Sequence, residues 1–75
     1  KDHLRVVNMT FFILDEGASQ EVKLVFKHND RVETLYLESH PPGDVITLNF
    51  ELDLEGVLEL YLNNEKISTK RIIDN

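Results

Sequence analysis

This sequence contains no cysteine and few glycines. Without cysteine neither a disulfide framework nor a thiolate metal site can form, so the hydrophobic core must stabilise the fold unaided. This composition suits a reducing compartment, and we expect a cytoplasmic protein. The three glycines, Gly17, Gly43 and Gly56, are isolated, so no glycine-rich phosphate loop can be built from them. We therefore expect neither a bound nucleotide nor any other cofactor.

Long hydrophobic runs are absent as well. The longest apolar run is Phe11-Phe12-Ile13-Leu14, whereas a membrane helix needs roughly 20 residues, and no signal peptide is evident at the N-terminus. Basic residues are few, with 8 Lys and Arg against 14 Asp and Glu and a formal net charge of −6. A negative field repels phosphate backbones and anionic lipids. We expect a soluble domain without nucleic-acid or membrane partners, whose acidic surface tolerates a basic or neutral peptide.

The length of 75 residues sets the domain organisation. A chain this short buries only about 60% of the surface that its unfolded form exposes, which leaves room for one hydrophobic core. The hydrophobic fraction of 41% and the charged fraction of 29% are those of an ordinary globular protein. We expect a single domain over residues 1–75.

Alternation of apolar and polar residues is the clearest secondary-structure signal. In the segments 21–27 and 46–52 every second residue is apolar, as in strands with one buried face. The pattern continues after the turn sequence Asp53-Leu54-Glu55-Gly56, so a β-hairpin is expected there. The apolar positions of these strands are Val22, Leu24, Phe26, Ile46, Leu48, Phe50, Leu52, Leu58, Leu60 and Leu62.

Three further segments suit β-strands. The segment 32–37 is rich in Val, Thr and Tyr, and the segment 66–73 carries Ile67, Ile72 and Ile73. The segment 4–14 is apolar on both faces from Val6 onward, which is expected of a strand covered on both faces or bent by a bulge. No stretch shows helical periodicity. Six or seven short strands indicate an all-β fold, either an antiparallel β-sandwich or a partly closed barrel. The turns are expected at 15–19, 28–31, 39–44, 53–56 and 63–65.

Catalytic and metal-binding residues do not form a recognisable set. No His-x-His or His-x-x-x-His spacing favours zinc. The turn 53–56 offers too few oxygen ligands for calcium, because Leu54 interrupts its carboxylates. The histidines are far apart in the sequence, and we expect all three to be solvated: His3, His28 and His40. We therefore expect no metal site and no enzymatic activity.

The segment 46–60 carries a more specific pattern. Its sequence, Ile-Thr-Leu-Asn-Phe-Glu-Leu-Asp-Leu-Glu-Gly-Val-Leu-Glu-Leu, resembles the hairpin near the end of the β-sandwich substrate-binding domain of Hsp70 chaperones. The segment 12–31 is similar to the upstream Hsp70 block, which runs from a phenylalanine through an acidic loop to an alternating strand. Pro41-Pro42-Gly43 joins the two blocks, where the family also has prolines and a glycine. Together the blocks cover roughly two-thirds of the chain.

The resemblance implies a small antiparallel β-sandwich that binds peptides. In Hsp70 chaperones an extended apolar peptide lies in a cleft, held through its backbone while a leucine-sized side chain fills a pocket. The loop that arches over the peptide holds Asp15 here, where the family often has a small residue. The same apolar residues that match the pocket would also suit the core of any sandwich. The residues at the family's pocket positions are Phe12, Val22, Leu24 and Ile46.

We therefore expect a peptide-binding module of a chaperone-like protein in the stress response, with unfolded or extended hydrophobic peptides as its partners. An ATPase domain would belong to the same full-length protein. The alternative is a structural or interaction domain that docks on another subunit, or forms a homo-oligomer, through an open sheet edge. An incomplete sandwich favours the alternative, because missing strands leave unpaired edges.

Overall fold

A computed structural model describes residues 2–73, which form six β-strands in two antiparallel sheets and no helix. This confirms the all-β, antiparallel prediction, whereas the sandwich packing stays a prediction. No helix among these residues is long and apolar enough to cross a membrane. The strands are β1 (His3–Phe12), β2 (Gln20–His28), β3 (Arg31–His40), β4 (Val45–Asp53), β5 (Val57–Leu62) and β6 (Glu65–Arg71).

The chain divides into two compact units, which are described separately. The first unit combines the residues up to Phe11 with those from Ile46 onward, and it holds a four-stranded sheet with the strand order β1-β4-β5-β6. The second unit, Phe12–Val45, holds the two-stranded sheet β2-β3. A single domain over residues 1–75 stays a prediction.

Cross-strand pairs of large apolar side chains hold β4 and β5 together. On one face of this hairpin Leu48 is opposite Leu62, and Leu52 is opposite Leu58. Fully burying a leucine side chain contributes about 1.5–3 kcal/mol, so this row supplies much of the stability of the first unit. The residues with the smallest exposed fractions in this unit are Ile46, Leu48, Leu58, Leu60 and Ile72. The alternation in the sequence therefore predicts the buried face correctly.

The turn between β4 and β5 is organised by the side chain of Asp53. This residue is buried, and its Oδ1 accepts hydrogen bonds from the backbone N–H of Glu55 at 2.9 Å and of Val57 at 3.0 Å. A short polar side chain that satisfies nearby backbone donors is typical of such turns. Gly56 completes the reversal with a φ of 85°, a value that other residues rarely adopt. The hairpin expected at 53–56 is confirmed.

The β2–β3 hairpin contains a bulge that changes which side chains share a face. The register shifts so that Leu24 is opposite Tyr36 and Val25 is opposite Thr34, which leaves Leu35 without a partner. An extra residue in one strand reverses the alternation beyond it, and Leu35 and Tyr36 are accordingly both less exposed than their neighbours Thr34 and Leu37. β3 is also longer than the predicted 32–37, because the turn begins at Pro41 rather than Ser39.

The first strand is confirmed as a strand. Of the two explanations for its apolar sequence, coverage on both faces is wrong, whereas a bulge stays a prediction. Leu4 is 47% exposed and Val6 63% exposed. The reason lies in the strand order, because β1 is the terminal strand of its sheet and has only β4 as a hydrogen-bonded neighbour. Val7, Met9 and Phe11 are half-buried, and the residues between them are exposed.

We predict that Gly56→Ala destabilises the protein more than Gly17→Ala. Both glycines have a φ near 85°, so each alanine adopts a left-handed conformation at a cost of roughly 1–2 kcal/mol. A Cβ at Gly56 would also overlap the backbone carbonyl of Ile73, whereas a Cβ at Gly17 meets nothing within 4 Å. Urea unfolding should give an additional loss of about 1–3 kcal/mol for Gly56→Ala. Equal losses would contradict the packing of Gly56 against Ile73.

Candidate functional site

The outer edge of β1 is the first candidate site. β1 ends the four-stranded sheet, and no second strand pairs with it among residues 2–73. The backbone groups on its outer side are therefore available to another extended chain. Such an edge is a template for β-strand addition, in which main-chain hydrogen bonds supply the affinity.

The side chains of β1 do not protect this edge. The strand is ten residues long and contains no proline, and Arg5 is its only permanently charged residue. Natural proteins usually block exposed edges with lysines, prolines, bulges or very short strands. Leu4 and Val6 instead place exposed apolar surface beside the open backbone. The edge of β1 thus combines free main-chain groups with apolar side chains, and we name it the β1 edge (His3–Phe11).

The opposite edge of the same sheet, formed by β6, is protected. Four of the seven residues of β6 are charged, namely Glu65, Lys66, Lys70 and Arg71. A register shift interrupts its pairing with β5 between Leu60 and Tyr61, and such bulges discourage the addition of another strand. The sheet therefore has one open and one protected edge.

Side-chain contacts fix β1 to β4 at both ends of the strand. His3 Nε2 lies 3.3 Å from Glu51 Oε1, and the hydroxyl groups of Thr10 and Thr47 lie 3.4 Å apart. These contacts orient β1, while its main-chain hydrogen bonds to β4 carry most of the attachment. An added strand would consequently pair with a strand, β1, whose position is already fixed.

A row of charges crosses the sheet at Glu51. Glu51 is directly opposite Glu59, a like-charge pair that is unfavourable by itself. Lys66 lies 2.9 Å from Glu59, and the hydrogen bond to this carboxylate raises the pKa of the lysine. His3 lies against Glu51 on the other side. No group of three or more His, Cys, Asp or Glu side chains in residues 2–73 is arranged to hold a metal ion.

A hydrogen-bonded chain centred on His40 is the second candidate site. The hydroxyl group of Tyr36 lies 2.7 Å from His40 Nε2, and His40 Nδ1 lies 2.9 Å from Asp44 Oδ2. A neutral imidazole fits this arrangement when Nδ1–H donates to the carboxylate and Nε2 accepts from the phenol. The chain encloses the turn 41–44, which is closed by a hydrogen bond from Asp44 N to Pro41 O.

The chemistry of these hydrogen-bonded side chains favours a structural role for them. A carboxylate that orients a histidine beside a hydroxyl group has the arrangement of an activated nucleophile. The hydroxyl group here belongs to Tyr36, whose side chain is only 6% exposed. Burial, assisted by Glu38 and Asp44, raises the pKa of Tyr36 above its ordinary value, so the phenol keeps its proton. The hydrogen bonds stabilise the turn.

One of the three histidines differs from the expectation that all are solvated. The expectation is wrong for His40, because its side chain is only 12% exposed and is hydrogen-bonded through both ring nitrogens. His3 and His28 are both exposed, and His3 also contacts Glu51. The position of His40 directly before two prolines is the signal that was available in the sequence, since a rigid turn can return an acidic residue to the histidine.

The residues matched to the Hsp70 pocket lie in different environments. Val22 is 6% exposed and Leu24 half-buried, on the same face of β2, whereas Phe12 at the end of β1 is 77% exposed. Asp15 is exposed, and its carboxylate lies against the turn at Gly43. Ile46 is 2% exposed and belongs to the other compact unit. Their role in a peptide pocket stays a prediction.

Comparison of this chain with family models, with curated proteins and with solved structures finds no match. The Hsp70 resemblance therefore also stays a prediction.

We predict that Tyr36→Phe changes the alkaline limb of the stability curve. A pKa that is raised in the folded state stabilises the fold fully below the unfolded value of about 10, and this stabilisation is lost as the pH rises through the folded pKa. Replacing the phenol should therefore cost most near neutral pH and progressively less above about pH 10. Urea unfolding of both proteins between about pH 8 and pH 11 measures the difference.

Tyr61→Phe is the control, because it removes the only other tyrosine hydroxyl group in the chain. A gap between wild type and Tyr36→Phe that stays constant or widens with pH would contradict the burial of the phenol beside Glu38 and Asp44.

Proposed function

We propose that this chain is a non-enzymatic polypeptide-binding domain that takes up an extended hydrophobic segment along the β1 edge. The observation that carries the proposal is the contrast between the two edges of one sheet. β6 bears four charged residues and a bulge, whereas β1 is long, lacks proline and carries one permanent charge. Leaving one edge without protection is a liability unless that edge binds something.

Binding occurs by addition of a fifth strand next to β1. The incoming backbone pairs its N–H and C=O groups with those on the outer side of β1. Each such hydrogen bond contributes about 0.5–1.5 kcal/mol net, so several together hold a segment largely independently of its sequence. Leu4 and Val6 contribute selectivity, because they are exposed beside the edge and favour apolar side chains at alternate positions of the ligand.

The charge of the chain narrows the ligand class. The net charge of −6 repels acidic segments at long range. Within β1 the permanent charge is that of Arg5, near one end, which leaves the centre of the strand neutral. The preferred ligand is therefore an apolar segment with neutral or basic flanks.

This ligand class is the one that the Hsp70 resemblance implies, although the β1 edge is a different binding place from a cleft lined by Val22 and Leu24. A chaperone-like setting follows, in which the domain holds exposed apolar segments of unfolded chains in the cytoplasm. ATP hydrolysis would then belong to a further domain of a longer protein.

A charge placed on the β1 edge tests the proposal. Val6→Lys adds a protective lysine at a side chain that is 63% exposed, so the fold should be unaffected. Val32→Lys is the matched control, because Val32 in β3 is 62% exposed. A fluorescent peptide of alternating leucine and threonine with a lysine at each end is titrated by anisotropy. We expect Val6→Lys to weaken binding at least about tenfold, equivalent to 1.4 kcal/mol, and Val32→Lys to bind like wild type.

Peptides methylated on alternate backbone nitrogens distinguish strand addition from a side-chain pocket. One methylation pattern removes the donors that face β1, and the other removes donors that face solvent. We expect one methylation pattern to abolish binding and the other to be tolerated. Equal binding of both patterns, or binding that is insensitive to Val6→Lys, would overturn the proposal.

A further inference from the structure

We infer that a second copy of this chain occupies the β1 edge when no polypeptide is bound, through antiparallel pairing of β1 with the partner's β1 centred on Asn8. The inference rests on the proposed function, because it concerns the same edge. It adds the identity of the competing partner and the register of the pairing. The resulting dimer would join the two four-stranded sheets into one.

Symmetry restricts the possible registers. Residues directly opposite each other in an antiparallel pair have side chains on the same face of the sheet. In β1 the odd positions from Val7 to Phe11 are half-buried and the even positions are exposed. A two-fold pairing therefore places odd residues opposite odd residues and even residues opposite even residues, and a single residue lies on the two-fold axis opposite its own copy.

The register centred on Asn8 matches side chains on both faces of the strand. On the exposed face it places Asn8 opposite the partner's Asn8, whose amide groups can donate to and accept from each other. Val6 then lies opposite the partner's Thr10, a pair of β-branched side chains that suits a sheet. On the half-buried face Val7 lies opposite the partner's Met9. Moving the centre to Val7 would instead place Asn8 opposite an apolar valine.

Charge supports the same register. With Asn8 at the centre, Arg5 lies opposite the partner's Phe11, so the guanidinium group faces an aromatic ring and no charge of the same sign. A register centred on Arg5 would place two guanidinium groups directly opposite each other, which is unfavourable. Because each copy carries a net charge of −6, added salt should strengthen the dimer by screening repulsion.

Self-pairing and ligand binding use the same backbone groups and therefore exclude each other. A bound peptide would convert the dimer to monomers, and a high concentration of the protein would weaken apparent peptide binding. The dimer thereby covers the exposed apolar edge until a ligand displaces the second copy.

Single cysteines report the register, because the chain has none of its own. Opposite residues in an antiparallel pair have Cα atoms about 4.5–5.5 Å apart, within the range of a disulfide. Asn8→Cys should therefore give a disulfide-linked dimer under mild oxidation. Thr10→Cys alone should not, because its two copies would lie about 13 Å apart along the strand. A mixture of Val6→Cys and Thr10→Cys should give the cross-linked heterodimer. Val32→Cys, exposed in β3, is the control for random collision.

We expect at least about tenfold more cross-linked Asn8→Cys dimer than Val32→Cys dimer, and much less Asn8→Cys dimer when the oxidation is carried out in the presence of excess peptide. Equal cross-linking of Asn8→Cys, Thr10→Cys and Val32→Cys would overturn the inference. Absence of cross-linking with Val6-dependent peptide binding intact would overturn self-pairing and leave the proposed function standing. Cross-linking at Asn8 without any peptide binding would support self-pairing and overturn the proposed function.

Discussion

Unsatisfied backbone hydrogen-bonding groups along the outer side of β1 are the constraint on which the account depends. A backbone N–H or C=O group removed from water without a partner costs as much as a lost hydrogen bond. An edge strand therefore either stays solvated or acquires another strand. Because exposed apolar side chains at Leu4 and Val6 accompany the open groups, pairing with an apolar extended chain removes both kinds of surface from water at once.

The rest of the first unit provides a stable support for this edge. Leucine pairs across β4 and β5 bury one face, and Asp53 fixes the turn between these strands through two backbone hydrogen bonds. β4 in turn carries β1 through main-chain pairing and the contacts at Glu51 and Thr47. Because the sheet is already rigid, binding costs little conformational entropy in the protein, and only the ligand must become ordered.

The sequence predicted where the strands lie better than it predicted which strands are neighbours in a sheet. Alternation identified β2, β4 and β5, because one buried face imposes a period of two residues. The turn at 53–56 was predictable from an aspartate and a glycine at suitable spacing. The position of β1 at the end of a sheet was not predictable, because strand order depends on contacts between residues far apart in the chain. Its apolar sequence therefore suggested burial where the structure has exposed side chains.

Predicting the contacts of the candidate sites would likewise have required knowledge of which distant residues lie side by side. The charges of β6 were visible in the sequence, but their meaning as edge protection requires the strand order. The bulge opposite Leu24, which places Leu35 and Tyr36 on one face, leaves no mark in the alternation of β2. The contact of His40 with Tyr36 likewise depends on where that bulge and the turn 41–44 direct the side chains.

Hydrogen exchange of the individual β1 amides, followed by NMR, tests the open edge most directly. In a dilute sample of the free protein the amides bonded to β4 should exchange slowly, and the alternate amides that face outward should exchange quickly. Saturating hydrophobic peptide should slow the outward amides and leave those of β6 unchanged. Outward amides that are already protected in the free monomer, or that stay unprotected when peptide is bound, would contradict the account.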